Sequence, residues 1–243
     1  MSLLADMRVL YRLMLGSSGG KDHAERLENF YKAQAQDYDS FRKRLLQGRE
    51  EMLSQIEVPE GGVWVDMGGG TGSNIEAMAG EGLRKLQKVY IVDLCPSLLK
   101  IADERIQQNG WTNVETVQAD VTTFMPPEGQ ADLITFSYSL TMIPNWFAAI
   151  DQAKRFLKSS GQIGVVDFYV ARKFPEAGQT THPWRTRSFW PLWFSADNVF
   201  PCSDHLPYLQ YHFEQKFLGE YRARVPYIPL ARVPYYIYAG TPR

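Results

Sequence analysis

Apolar residues along this 243-residue chain recur with two different periods, and their alternation predicts the fold. Leu3, Leu4, Met7, Leu10, Tyr11 and Met14 fall at helical spacing, so the first stretch reads as an amphipathic helix. A Gly-Ser break at 16–20 follows. A polar helical pattern without proline then runs from residue 21 to about 56, closed by Pro59, Gly61 and Gly62. Beyond it, short apolar runs alternate with helical segments. Strands are predicted at 63–66, 88–92, 114–117, 132–136 and 164–170. Helices are predicted near 73–79, over 96–109 with Gly110 at its end, and near 146–157 with Gly161 closing it. From 171 to about 205 the pattern breaks into an insertion rich in proline and tryptophan. Two further strands, 213–224 and 233–240, are joined by the proline-punctuated VPYIPLARVP. This order implies an α/β fold: a doubly wound, mostly parallel seven-stranded sheet of Rossmann-like type. The expected organisation is an N-terminal helical cap over 1–58 and a core over 59–243. The insertion follows the fifth strand, and an antiparallel pair closes the sheet.

Composition narrows the picture. Hydrophobic residues make up 44%, enough for a sizeable core, and the net charge of −1 gives no reason to expect a nucleic-acid partner. Two cysteines, Cys95 and Cys202, make neither a disulfide framework nor a metal cluster, so no metal is expected. No apolar run approaches the ~20 residues a membrane span needs. Asp6, Arg8 and Arg12 interrupt the first apolar stretch, which is therefore not a clean signal peptide. The expected location is cytoplasmic.

The candidate chemistry begins at VWVDMGGGTG, residues 63–72. In open α/β sheets ligands bind outside the carboxyl ends of the strands, and the turn after the first strand is such a place. Glycine is needed there because a side chain would block close approach of the backbone to a ligand. Read as a dinucleotide fingerprint, the run gives Gly68 and Gly70 but Ser73 at the third position. Read as G-x-G-x-G, it gives Gly68, Gly70 and Gly72 without a miss, with Asp66 two residues ahead. S-adenosylmethionine (SAM) fits the second pattern, because it has no pyrophosphate and carries an ammonium that an acid can bind. Asp93 ends the second strand, where a carboxylate can accept ribose hydroxyls; nicotinamide cofactor sites use the same device. Asp120 and Val121 follow the third strand, placed for an adenine ring, and Ser137 and Tyr138 end the fourth, at the reactive end of the cofactor. Any one of these acids also reads as a solvated loop carboxylate. The expected cofactor-binding set from the strand ends is Asp66, Gly68, Gly69, Gly70, Gly72, Asp93, Leu94, Asp120, Val121 and Ser137. Four strand ends in order, each with a suitable group, resemble the class I SAM-dependent methyltransferases over residues 63–170.

A narrower resemblance rests on YDSFRKRLLQGRE, DMGGGTGSNIEAM, SYSLTMIP, GQIGVVDFYV, FWPLWFSADNVF, DHLPYLQYHFEQ and VPYYIYAG. These stretches resemble the N-methyltransferase component of betaine-lipid synthase. The resemblance implies three successive methyl transfers to the amino group of diacylglyceryl-homoserine, giving a trimethylated betaine lipid. It implies a lipid substrate at a membrane surface and, as a partner, the aminocarboxypropyl transferase that makes that substrate. It also places Tyr31, Tyr38 and Arg42 of the N-terminal segment near the methionine end of SAM.

Transfer to an amine is an in-line displacement in which the protein supplies positioning and exclusion of water. The amine must be neutral before each attack; a tyrosine, carboxylate or histidine within hydrogen-bond reach can take its proton, and aromatic faces best hold the growing cation. Tyr138, Tyr31, Asp167 and Tyr169 are the candidates for these catalytic roles, with His182 and His205 as further bases. The insertion crowds Trp184, Phe189, Trp190, Trp193 and Phe194 beside Arg172, Lys173, Arg185 and Arg187. Tryptophan with arginine suits a membrane interface, and equally a lid packed on the sheet. Trp184, Arg187, Trp190 and Trp193 are thus candidates for substrate or membrane contact, and peripheral membrane association is the expectation. Rival readings stay open here: another amine such as phosphatidylethanolamine as acceptor, an NAD(P)-dependent oxidoreductase, or a non-catalytic partner of the aminocarboxypropyl transferase.

Overall fold

The computed structural model describes residues 25, 28, 44–195, 198–226 and 231–243. Its elements in chain order are α1 (Arg49–Ser54), β1 (Val63–Met67), α2 (Ser73–Met78), α3 (Glu81–Lys85), β2 (Lys88–Asp93), α4 (Pro96–Asn109), β3 (Val114–Gln118) and β4 (Ala131–Ser137). A 3-10 turn (Leu140–Met142) follows, then α5 (Trp146–Phe156), β5 (Leu157–Phe168), α6 (Trp184–Ser195), α7 (His205–His212), β6 (Phe213–Arg224) and β7 (Arg232–Pro242). The strands form one seven-stranded sheet in the order β3-β2-β1-β4-β5-β7-β6. β1 pairs in parallel with β2 and with β4, while β7 runs antiparallel between β5 and β6. The expected α/β fold is therefore the observed one. Strand order reverses between β1 and β4, which opens a crevice at their carboxyl ends.

Both faces of the sheet are covered, as a parallel sheet requires. On one face Trp64, Ile91, Leu133 and Val166 pack with Met52 and Leu53 of α1 and with Trp190 and Phe194 of α6. On the other face Val65, Met67, Ile134 and Val165 pack with Ala149, Ile150 and Phe156 of α5 and with Leu206 and Leu209 of α7. The described end of the N-terminal cap thus belongs to the same core as the sheet.

Three expectations are corrected. The helical pattern over 21–56 breaks in its described part at residues 46–48, before α1 begins. Gly48 takes a left-handed φ of 84°, and a Cβ there would lie 2.6 Å from Tyr235 Cε2. Glycine lets the chain turn against β7, which no helical period reveals. Gly161 does not close a helix: α5 ends at Phe156, and Gly161 lies inside β5, where a Cβ would meet Leu157 Cδ1 at 2.5 Å. The insertion, where the pattern breaks, is not irregular throughout, since α6 occupies its middle.

Candidate active site

The glycine turn is a piece of backbone folded on itself between two strand ends. Gly68, Gly70 and Gly72 have φ of 70°, 56° and 76°, the left-handed region that costs L side chains ~1–2 kcal/mol. The N–H groups of Gly68 and Gly69 donate to Val92 O at 2.8 and 3.1 Å, which ties the turn to β2. A Cβ on Gly68 would lie 2.6 Å from Ser139 Cβ, so the turns after β1 and β4 touch. At Gly70 a Cβ would meet nothing closer than Leu98 Cδ1 at 3.7 Å. Packing therefore demands glycine at position 68, whereas position 70, with Leu98 Cδ1 at 3.7 Å and Asp93 Oδ2 at 3.9 Å, needs it only for its dihedral. Arg105 of α4 holds the turn from behind, donating to Thr71 O at 3.0 Å.

Asp66 lies under this turn, fully buried. Its Oδ1 accepts from Asn74 Nδ2 and from Thr135 Oγ1, both at 2.7 Å. Thr135 in turn accepts from Trp64 Nε1 at 2.8 Å, and Asn74 Oδ1 accepts from Arg49 Nε at 2.6 Å. Asp66 Oδ2 has no hydrogen-bond partner among the described residues. Burial pushes the carboxyl up to about 6, against the pull of Thr135, Asn74 and the Arg49 charge. An orphaned carboxylate oxygen beneath a left-handed glycine turn is what an ammonium-bearing cofactor requires. The residues present thus fit SAM.

Asp93 at the end of β2 is aimed by backbone. Its Oδ2 accepts from Gly70 N and its Oδ1 from Cys95 N, both at 2.9 Å. Leu94 beside it is half-buried. Glu28, from the N-terminal segment, accepts from Cys95 Sγ and Ser97 N, each at 3.2 Å, and from Ser97 Oγ. A carboxylate from the cap is thereby fixed at the rim of the turn that carries Asp93. Asp120 is exposed, and one of its oxygens accepts from Thr122 N at 2.8 Å and Thr122 Oγ1 at 2.7 Å. Val121 is buried in the core.

Past β4 the chain carries the residues expected at the reactive end. Ser137 Oγ is buried without a partner among the described residues. Tyr138 takes a left-handed φ of 54° and donates its hydroxyl to Gln47 O at 2.5 Å. Burial, then the neighbouring Asp167 charge, raises its pKa well above the usual phenol range, so it stays protonated at neutral pH. Its ring lies 4.6 Å from Phe168, which stacks on Phe194 of α6 at 5.1 Å.

Asp167 and Tyr169 point to the other face of the sheet. Asp167 Oδ1 accepts from Thr141 Oγ1 at 2.7 Å and its Oδ2 from Thr141 N at 3.1 Å, clamping the 3-10 turn. Burial pushes this carboxyl up to about 7, opposed by the Thr141 bonds. Tyr169 donates to Glu220 Oε1 of β6 at 2.6 Å and packs against His182 and Tyr236. The structure therefore gathers Asp66, Gly68, Gly69, Gly70, Gly72, Asp93, Ser137 and Tyr138 around one crevice, and sets Asp167 and Tyr169 behind it.

His182 accepts from Ala171 N at 2.9 Å, and His205 is buried edge-on to Trp146. Neither stands at the crevice with a base exposed. In the insertion, Trp190 is buried, Trp193 and Arg187 are half-buried, and Trp184 is exposed. Tyr31, Tyr38 and Arg42 lie outside the described residues. Asn74, Thr135, Ser139, Gln47 and Glu28 were missed by sequence reasoning, since each acts through a hydrogen bond or contact to a residue distant in the chain.

Comparison with known proteins agrees with this geometry. Residues 65–161 match the protein family described as "Methyltransferase domain". The fold is the Rossmann-like one of SAM-dependent methyltransferases, residues 65–161 carry the likeness to a methyltransferase domain, and the glycine cradle with the orphaned carboxylate fits SAM. Among curated relatives, the ubiquinone/menaquinone biosynthesis C-methyltransferase UbiE of Hydrogenovibrio crunogenus is 29% identical over 109 residues, 44% of this chain and 42% of that protein. The demethylmenaquinone methyltransferase of Geobacillus stearothermophilus is 25% identical over 122 residues, 50% of this chain and 51% of that protein. The matched stretch thus spans about half the length of these curated relatives. A Haemonchus contortus N-methyltransferase, solved with phosphomonomethylethanolamine and S-adenosylhomocysteine, shares the fold with a TM-score of 0.65 at 14% identity, covering 89% of this chain and 60% of that one.

Proposed function

We propose that this protein transfers methyl groups from SAM to the amino group of a membrane lipid, and that the lipid is diacylglyceryl-homoserine. The supporting observation is the stack of Phe168 on Phe194, which seats the apolar helix α6 directly behind Tyr138. A lipid headgroup at the crevice would then have an apolar, aromatic element beside it for its glyceride part. The late sequence stretches shared with the betaine-lipid N-methyltransferases, including FWPLWF, support the same acceptor. Action at a membrane surface, and supply of the substrate by an aminocarboxypropyl transferase, are part of this reading. Among the described residues no helix is long and apolar enough to cross a membrane, and no cluster of His, Cys, Asp or Glu could hold a metal ion.

When bound, SAM supplies an activated methyl group on a sulfonium. Asp66 would pair with its ammonium, Asp93 would accept from the ribose hydroxyls, and Gly70, lacking a side chain, would let the cofactor come close to the backbone. Ser137 and Tyr138 would border the acceptor amine, which would attack in its neutral form after giving its proton to water. Asp167 holds the 3-10 turn that follows Tyr138 and so acts by positioning.

A second reading is favoured by the curated relatives, whose names place them in ubiquinone and menaquinone biosynthesis. In it the acceptor is a carbon of a quinone-type ring, again borne on a lipid tail. Incubation with methyl-labelled SAM and, separately, diacylglyceryl-homoserine, phosphatidylethanolamine and a demethylated quinone decides. Label in the homoserine lipid at three methyl groups supports the first reading. Label only in the quinone, or only in phosphatidylethanolamine, overturns it.

A further inference from the structure

Helix α6 has the polarity of a buried helix on a side that faces solvent. Its sequence is WRTRSFWPLWFS, over Trp184–Ser195. At 100° per residue, Trp190 and Phe194 fall together and are buried against the sheet. The opposite arc carries Trp184, Arg185, Ser188, Phe189, Leu192 and Ser195, all exposed. Three of those six are large and apolar, with exposures of 67% for Trp184, 48% for Phe189 and 76% for Leu192. A surface helix of a globular protein normally turns charged residues outward. This one turns outward an indole, a phenyl ring and an isobutyl group, with an arginine between them and no acidic residue anywhere in the helix. The loops on either side expose Phe174 and Phe200, and Lys173 lies over the Phe174 ring at 5.2 Å.

We infer that the outward arc of α6 is a docking surface for an anionic bilayer, with Trp184, Phe189 and Leu192 inserted at headgroup depth and Arg185 on the lipid phosphates. Charge decides between occupants. A second copy of this chain would bring Arg185 against a like-charged basic surface, whereas an anionic lipid surface is complementary to it. Aromatic and aliphatic side chains on one side of a short helix with a basic flank suit the interface between water and hydrocarbon. The same helix stacks on Phe168 through Phe194, so docking sets the crevice beside Tyr138 close to the bilayer plane. The inference deepens the lipid-acceptor reading and rests on it for its biological purpose, but the surface itself is independent of which lipid is methylated.

The test is flotation of the full chain with vesicles of phosphatidylcholine, with and without phosphatidylglycerol, neither carrying an acceptor amine for transfer. The wild type is expected to float with the phosphatidylglycerol vesicles and more weakly with phosphatidylcholine alone. The pair Phe189→Ser and Leu192→Ser should reduce the floated fraction about tenfold. Arg185→Glu should abolish the preference for phosphatidylglycerol. Unchanged SAM affinity by calorimetry shows that each variant is folded. A wild type that does not float, a double variant that floats as well as wild type, or sedimentation showing a wild-type dimer that the double variant dissolves overturns the proposal. Methyl transfer to each lipid dispersed in detergent, where no bilayer need be found, reports separately on the acceptor.

Discussion

Asn74 Nδ2 donates to Asp66 Oδ1 at 2.7 Å, from the first turn of the helix that follows the glycines to the acid that precedes them. The bond spans the glycine turn. It fixes one oxygen of Asp66 and leaves the other buried beneath Gly69 without a partner among the described residues. Replacement Asn74→Ala should weaken SAM binding by ~1–3 kcal/mol, the cost of a buried polar partner left unpaired. Isothermal titration with SAM measures it, and an unchanged dissociation constant would detach Asn74 from the cofactor site.

Asp66 also predicts how binding depends on pH. Burial holds its carboxyl at about 6, and the cofactor's ammonium favours the ionised form. Affinity for SAM should therefore be full above that value and decline as pH falls through 6 toward 4. Titrations at a series of pH values should show the decline, and a flat profile from pH 7.5 to 5 would mean that Asp66 does not meet the ammonium.

Asp93 should behave as the ribose ligand. Asp93→Ala removes the acceptor for Gly70 N and Cys95 N as well as for the cofactor, and SAM affinity should fall by ~1–3 kcal/mol. Adenosine binding separates the two ends of the ligand: it should weaken in Asp93→Ala and stay near wild type in Asn74→Ala.

Two glycine replacements should part company. Gly68→Ala combines a left-handed dihedral with a Cβ 2.6 Å from Ser139 Cβ, and should lower the melting temperature markedly. Gly70→Ala bears the dihedral cost alone, ~1–2 kcal/mol, because its nearest contact is at 3.7 Å. It should remain folded yet lose most of its SAM binding, since the added methyl would stand 3.9 Å from Oδ2 of Asp93, the proposed ribose ligand. Equal melting temperatures for the two would contradict the contact with Ser139.

His205 gives a stability prediction with a definite sign. Burial lowers its pKa to about 3, and neither ring nitrogen has a partner among the described residues. A base depressed in the folded state contributes stability that is lost as pH falls from 6.5 toward 3. At pH 5 the loss is about 2 kcal/mol, from 1.36 kcal/mol per unit. Asp66 and Asp167 have raised pKa values of about 6 and about 7, so their contribution is lost as pH rises, which flattens the wild-type profile. Comparing His205→Phe with wild type cancels those acids. The variant's melting temperature should gain more at pH 5 than at pH 7, and equal gains would mean that His205 is protonated in the fold.

The sheet was legible in the sequence because its strands are short apolar runs bounded by glycine and proline, and the period gave each run away. The glycine turn and the acids around it were legible because Gly68, Gly70, Asp66 and Asp93 sit at fixed steps from strand ends. The exceptions are informative. Asp167 looked like a group for an amine, yet both its oxygens serve Thr141, and no local pattern distinguishes a carboxylate facing a ligand from one facing a turn. Tyr169 is one residue past the same strand, and alternation alone sends it to the opposite face from Phe168. Asn74, Thr135 and Glu28 act over 8, 69 and 69 residues of separation, beyond the reach of any period. Trp184 and Trp190 read alike in sequence; only the six-residue step around α6 sends one to solvent and the other to the core.

The strand order separates donor from acceptor along the chain. The residues proposed to hold the methyl donor all lie before β5, whereas α6 and its loops come after it. A replaced insertion would leave Asp66, Gly70 and Asp93 untouched. Grafting the 171–205 segment of a related enzyme should therefore change what is admitted beside Tyr138 while leaving SAM affinity, read by calorimetry, unchanged.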